Sequence, residues 1–288
     1  MPELPEVETV RRGLSPKMQG RQFTHVHLNR PDLRFPFPDR FTQRLEGHEL
    51  VSMKRRAKFL MCELSSGETL LMHLGMSGRF SIEDGTHDKT WPTDSGAANP
   101  KHDHVVFTMS AVEPGEQPPR IIYNDPRRFG FMELLEAGDL GRMADLGPEP
   151  LSNAFNGPVL QTALARKKAP IKSTLLDQRI VAGLGNIYVC EALYRSRITP
   201  TRLSCELDDQ ECELLVTEIK KTLEEAIRSG GSTLKDFAAT DGALGYFQHR
   251  FQVYGKEGTP CTHKSCTGEI SRIKQSGRST FYCPICQI

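Results

Sequence analysis

Apolar positions change their spacing near the middle of the chain. Before about residue 136 they gather in short runs, and after about 156 they recur every three or four residues. Near the start, Val7, Val10 and Leu14 share one helical face, and Pro16 is expected to stop that helix. Strand-like runs follow at 23–28, 49–54, 59–64, 69–74, 105–109, 120–123 and 131–134, some separated by turn signals such as Ser65-Ser66-Gly67. Many short strands of this kind predict a β-sandwich or barrel behind an N-terminal helix, and the sandwich is the expected one of the two. Polar, Gly- and Pro-bearing stretches at 84–100 and 111–119 read as surface loops.

The rigid stretch Leu146-Gly147-Pro148-Glu149-Pro150-Leu151-Ser152 marks the best domain boundary. Helical spacing takes over beyond it. Leu160 and Leu164 suggest a first helix ending near Pro170, Leu175 and Leu176 sit in a second, and 187–194 begins a third. A long amphipathic helix at 209–229 carries Leu215, Ile219, Leu223 and Ile227 four residues apart, with Gly230-Gly231 as its terminator. Alternating residues at 270–273 and 279–282 around Gln275-Ser276-Gly277-Arg278 predict a β-hairpin with a cation at its tip. The expected class is α+β: a β domain over 1–136, a linker over 137–155, a helical domain over 156–250 and a terminal hairpin over 251–288.

With 288 residues, 38% hydrophobic and 25% charged, the chain has the composition of a globular protein of about two domains. No apolar run reaches the roughly 18–20 residues of a membrane span and no signal-peptide h-region is present, so a cytoplasmic protein is expected. The eight cysteines are then expected to be thiols or metal ligands. The net charge of +1 announces no polyanionic partner. Local charge does: residues 156–199 hold seven basic residues against two acids, a surface suited to phosphates.

Cys261, Cys266, Cys283 and Cys286 form C-x4-C, sixteen residues, then C-x2-C, the pattern of a structural four-thiolate zinc site. The first knuckle is wider than the common C-x2-C and contains His263, an alternative ligand. Cys62, Cys190, Cys205 and Cys212 read as ordinary cysteines. Loss of Met1 would leave Pro2 with a secondary amine whose pKa lies far below that of lysine, at about 8. Such an amine can attack an electrophilic sugar carbon, and Glu3 lies one peptide bond away to move protons. Three further clusters interrupt the apolar pattern: Lys54-Arg55-Arg56-Ala57-Lys58, His73-Leu74-Gly75-Met76-Ser77-Gly78 and Asn124-Asp125-Pro126-Arg127-Arg128-Phe129-Gly130. Taken singly, they read as a solvated basic run, a methionine-bearing turn and a turn with cations beside an aromatic ring. His102 and His104 share a strand face, but without a third ligand nearby a metal site is not expected there. Gly183-Leu184-Gly185-Asn186 exposes backbone N–H groups at a helix start, where phosphates can approach.

Taken together and in order, these motifs resemble the formamidopyrimidine-DNA glycosylases, bacterial enzymes that excise oxidised purines. The resemblance runs from Pro2 to Arg278. It implies that Pro2 is the nucleophile, Glu3 its proton carrier, and Lys58 and Arg278 its cationic helpers. It gives Met76, Arg127 and Phe129 the role of a wedge that fills the gap left by a flipped nucleotide. His102, Lys167 and Asn186 become contacts to the DNA backbone, and residues 240–247 a lid over the flipped base. The helices around 183–188 become a helix–two-turn–helix. One structural Zn2+ is implied, with no catalytic metal or organic cofactor. The implied partner is damaged duplex DNA bound by a monomer. The implied reaction is base excision followed by β,δ-elimination at the abasic site. Two alternatives stand beside it: the sister class resembling endonuclease VIII, acting on oxidised pyrimidines, and a damage-binding protein that does not cut.

Overall fold

A computed structural model describes residues 2–84, 99–232 and 245–288. The chain forms two compact units, Met1–Met143 with Ser229–Tyr246, and Ala144–Arg228 with Phe247–Ile288. No described helix is long and apolar enough to cross a membrane. Most of the 84–100 loop, Met1 and residues 240–244 of the expected lid lie outside the described residues.

The first unit begins with helix α1 (Leu4–Met18) and also contains the short helix α2 (Phe41–Leu45). Among its described residues the strands, in chain order, are β1 (Phe23–Leu28), β2 (Leu50–Arg56), β3 (Phe59–Leu64), β4 (Thr69–His73), β5 (Arg79–Glu83), β6 (Asp103–Met109), β7 (Arg120–Asn124) and β8 (Phe131–Leu135). They make two four-stranded antiparallel sheets, ordered β1-β6-β7-β5 and β2-β3-β4-β8. Phe23, Phe107 and Tyr123 from the first sheet join Met53, Leu60, Leu70 and Met132 from the second in one buried cluster. Val7, Val10, Leu14 and Met18 of α1 close that cluster. Each such side chain contributes about 1.5–3 kcal/mol on burial, so this shared core holds the sheets in place.

Three local features differ from the sequence expectation. Pro16 lies inside α1 rather than ending it. The helix keeps its last turn because Leu14 and Met18 are fully buried and Gln19 N–H bonds Ser15 O at 2.9 Å. Strand β2 runs on through Arg55 and Arg56, because pairing continues to Arg56 opposite Phe59. Strand β5 is not among the expected runs and forms by pairing with β7, Phe80 opposite Tyr123.

The second unit contains α3 (Gly157–Leu164), α4 (Ile171–Leu175), α5 (Asn186–Arg195) and α6 (Asp209–Arg228). Its hairpin pairs β9 (Ser271–Gln275) with β10 (Arg278–Tyr282). The buried stripe of α6 passes from Leu215, Ile219 and Leu223 to Ala226, leaving Ile227 half-buried. With 3.6 residues per turn, a strict four-residue repeat drifts about 40° per step and leaves the core face. Gln178 ties the turn between α4 and α5 together. Its Nε2 donates to Leu176 O at 3.1 Å and Leu184 O at 2.9 Å, and its Oε1 accepts from Gly183 N at 2.8 Å. Glu191, fully buried on α5, accepts the N–H groups of Gln252, Val253 and Tyr254 and so anchors the chain leading to the hairpin. Burial pushes its carboxyl above the usual carboxylate value despite those bonds.

Candidate functional site

The N-terminus is held by a capping box. Glu3, 4% exposed, caps α1, and its side chain accepts the N–H of Glu6 while Glu6 Oε2 accepts the N–H of Glu3 at 2.8 Å. The other oxygen of Glu6 accepts the Ser232 N–H at 2.8 Å and its hydroxyl at 2.9 Å. Buried Pro2 therefore leads into a backbone fixed from two directions. Sequence reading did not single out Glu6. The box itself was visible as two carboxylates three residues apart at a helix start, but Ser232 is 226 residues away.

Lys58 lies in the two-residue turn joining β2 to β3 and is 8% exposed. Ala57 beside it has a left-handed backbone, φ 52°, and its carbonyl accepts from Arg55 Nη1 at 3.0 Å. Arg55 in turn lies 3.4 Å from Glu8, which also takes Arg11 and Arg12. Burial pushes the Glu8 carboxyl up, but hydrogen bonds from Arg11 and Arg12 and the charge of Arg55 hold it below the ordinary value. Apart from exposed Lys54, the basic run is thus a braced turn rather than a solvated surface.

His73, on the same sheet, was named in its cluster but given no role by the sequence. Burial pushes its pKa down to about 4, helped by the charges of Lys58 and Arg34. The ring is neutral near pH 7. Its Nδ1 accepts the Gly75 N–H at 3.0 Å, which leaves the proton on Nε2, and it stacks on Phe131 at 5.2 Å.

Met76 and the Arg127–Phe129 turn are brought together by one buried carboxylate. Asp125, fully buried, accepts from Ser77 Oγ at 2.6 Å, Gly130 N at 2.8 Å and Tyr123 Oη at 3.2 Å. Ser77 Oγ accepts the Arg127 N–H at 3.2 Å and closes the link between the turns. Contact is too close for side chains: a Cβ on Gly75 would lie 2.3 Å from Gly130 N, and one on Gly130 would lie 1.8 Å from Tyr123 Oη. Phe129 is 42% exposed, with the Arg127 guanidinium 4.9 Å from its ring centre. Met76, Arg127, Phe129, His73 and Arg34 help line a cavity of about 540 Å³. His102 is half-buried beside this region, and its carbonyl accepts the Asp125 N–H at 3.0 Å. It forms no three-ligand cluster with His104 among the described residues.

In the second unit, Lys167 is exposed beyond α3. Asn186 opens α5 and sends its Nδ2 to Ser279 O at 2.9 Å. Lys172, counted in the sequence among the seven basic residues of a phosphate surface, is instead fully buried and reaches Ser279 O at 3.2 Å and Thr280 Oγ1 at 2.7 Å. Two donors thus hold the residue next to Arg278. The turn itself is Ser276-Gly277, both with positive φ (47° and 77°), a type I′ hairpin turn. Arg278 is exposed and opens β10 opposite Gln275, one place past the tip.

The four cysteines of the two knuckles have their sulfurs within 4.8 Å of one another. The Cys261–Cys286 and Cys266–Cys283 sulfurs are 3.6 Å apart. Four sulfurs at about 2.3 Å around a tetrahedral zinc lie about 3.8 Å apart, so the quartet fits that ion.

Residues 1–132 match the family described as "Formamidopyrimidine-DNA glycosylase N-terminal domain", and residues 146–238 match "Formamidopyrimidine-DNA glycosylase H2TH domain". The formamidopyrimidine-DNA glycosylase of Ruegeria pomeroyi is 52% identical over 290 residues, and that of Chelativorans sp. 51% over 298, each covering 100% of both chains. Among solved structures, the MutM (Fpg) protein of Thermus thermophilus is 37% identical, with a TM-score of 0.82 over 99% of this chain and 98% of that one. The Lactococcus lactis Fpg in complex with an abasic site containing DNA is 32% identical, with a TM-score of 0.83 over 99% of both chains.

Proposed function

The chain belongs to the formamidopyrimidine-DNA glycosylase family, and from that premise we propose that it excises 8-oxoguanine and formamidopyrimidines from duplex DNA and then cleaves the abasic site. The Pro2 amine, freed by removal of Met1, attacks C1′ of the damaged nucleoside. The N-glycosidic bond breaks, and the base leaves with the bonding electrons and takes up a proton. The proline nitrogen gives up its proton, the C1′–O4′ bond breaks with O4′ taking up a proton, and the resulting iminium acidifies the C2′ proton. Its loss expels the 3′ phosphate, and a second elimination expels the 5′ phosphate. Glu3 serves the proton transfers. Lys58 and Arg278 place positive charge on phosphates.

His102, Lys167 and Asn186 hold the backbone, while Met76, Arg127 and Phe129 fill the space vacated by the flipped nucleotide. The two sheets act as a β-sandwich catalytic domain and the helical unit as a DNA grip. A structural Zn2+ on Cys261, Cys266, Cys283 and Cys286 holds the hairpin that carries Arg278. The enzyme works as a monomer on cytoplasmic DNA.

The observation that carries this reading is the frame at the N-terminus. Glu6 bonds both the residue after Pro2 and Ser232, so the nucleophile is aimed by a fixed backbone rather than a loose terminus. The test is borohydride trapping on a duplex with 8-oxoguanine opposite cytosine, the crosslink located by mass spectrometry. A crosslink at Pro2 is expected. Tight lesion binding without a crosslink, in protein shown to lack Met1, would leave a damage-binding protein. Lactococcus lactis Fpg has also been solved with an oxidized pyrimidine containing DNA, which favours testing a second duplex with such a lesion. Trapping on that duplex alone would move the protein to the sister specificity.

A further inference from the structure

The wide first knuckle places His263 against Tyr194 of α5. The two rings are parallel within 5°, their centres 4.1 Å apart. Each ring carries a polar atom aimed at a different cysteine: Tyr194 Oη lies 3.1 Å from Cys261 Sγ, and His263 Nδ1 lies 3.0 Å from Cys286 Sγ. Tyr194 is fully buried. Its oxygen already accepts the Thr262 N–H at 3.1 Å and the His263 N–H at 3.2 Å, so its own proton must point outward. Two acceptors are in range, Cys261 Sγ at 3.1 Å and Thr262 Oγ1 at 3.0 Å. A thiolate is charged and can only accept, so the charge-assisted bond to Cys261 prevails.

We propose that Tyr194 and His263 act as a stacked donor pair for the zinc thiolates, Tyr194 bonding Cys261 and His263 bonding Cys286, and that they slow loss of the metal. The inference rests on the zinc reading above. Four thiolates on Zn2+ leave a net charge of −2 in a site where Cys283 is fully buried and Cys261 is 9% exposed. Gly268 N–H adds a longer bond to Cys266 Sγ at 3.4 Å. Donors to ligand atoms spread this charge and orient the ligands. The two extra residues of the knuckle are what bring His263 to the ring of Tyr194. Both would act through the cysteine sulfurs they bond and are positioning residues.

The test uses full-length protein carrying zinc, with metal content measured per chain. Tyr194→Phe keeps the ring and the stack and loses only the hydroxyl. Zinc transfer to a chromophoric chelator is expected to speed up about tenfold, the size of one hydrogen bond to a charged group. In the Co2+-substituted protein, the thiolate-to-metal charge-transfer band is expected to move to longer wavelength, because a sulfur without its donor gives up charge more easily. His263→Leu should do the same, and His263→Asn, whose amide can replace Nδ1–H, should restore the wild-type band. A Tyr194→Phe protein with one zinc per chain, an unshifted band and unchanged release overturns the proposal. Should Tyr194→Phe fail to fold, an unshifted band in His263→Leu overturns it instead. A wild-type protein without zinc overturns the zinc reading itself, and with it the pair's role, whatever the trapping result at Pro2.

Discussion

Asp125 is the residue whose loss should separate lesion excision from abasic-site cleavage. Its carboxylate is fully buried and accepts from Ser77 Oγ, Gly130 N and Tyr123 Oη at 2.6, 2.8 and 3.2 Å. Asp125→Ala strands two to three of these donors, each at about 1–3 kcal/mol, for a sum of about 2–9 kcal/mol. That is a large part of a typical domain stability of about 5–15 kcal/mol. Asp125→Asn keeps the volume and still accepts on one oxygen, so about 1–2 kcal/mol should be lost and the fold kept. Urea denaturation measures both. The functional consequence follows from the link between turns: Met76 sits on one side of Ser77, and Arg127 and Phe129 on the other side of Asp125. A misplacement of about 1 Å can cost up to a hundredfold in rate. Single-turnover excision of 8-oxoguanine by Asp125→Asn is expected to fall at least about tenfold. Cleavage of a duplex with a ready-made abasic site should fall much less, since no base need be held out of the stack. An Asp125→Ala protein as stable as wild type, or equal losses in both assays, would refute the argument.

Gly130→Ala should destabilise the first unit by about 1–3 kcal/mol, seen as a lower urea midpoint, because its Cβ would lie 1.8 Å from Tyr123 Oη and 2.8 Å from His73 O. His73 should make stability fall with acid. Its folded pKa, about 4, lies below the ordinary 6.5, so the neutral form is favoured in the fold and stability is lost as pH drops from 6.5 through 4, by about 3 kcal/mol in all. His73→Asn, which keeps an acceptor for Gly75 N–H, should flatten that part of a denaturation-against-pH curve; an unchanged curve would contradict the assignment. Removing zinc with a chelator should raise amide exchange across 261–286 while α1 keeps its protection, and DNA binding should weaken with it. Equal protection before and after chelation would show that the hairpin core of Ile270 and Phe281 holds without metal.

Local periodicity and contiguous motifs were legible from the chain alone. Four helices of the second unit, most strands of the first and the cysteine quartet could be read because each signal lies within a short window. Pro2, Glu3, Lys58, Met76, Arg127, Phe129, Asn186 and Arg278 likewise stand in short motifs and are proposed as site residues on that ground, and the fold places Met76 with Arg127 and Phe129, and Asn186 with the residue next to Arg278. The residues that hold the site were not legible. Glu6 meets Ser232 across 226 positions, Asp125 meets Ser77 across 48, and Lys172 meets Ser279 across 107. No spacing rule connects such pairs, since a buried carboxylate or ammonium gives no sign in sequence of which distant donor or carbonyl will satisfy it. Strand β5 and the last turn of α1 were misjudged for the same reason. Sequence by itself determined most element types and the cysteine quartet, because those depend on neighbours along the chain. Only the tertiary structure decided which buried polar groups complete each other, because that depends on which surfaces burial brings into contact.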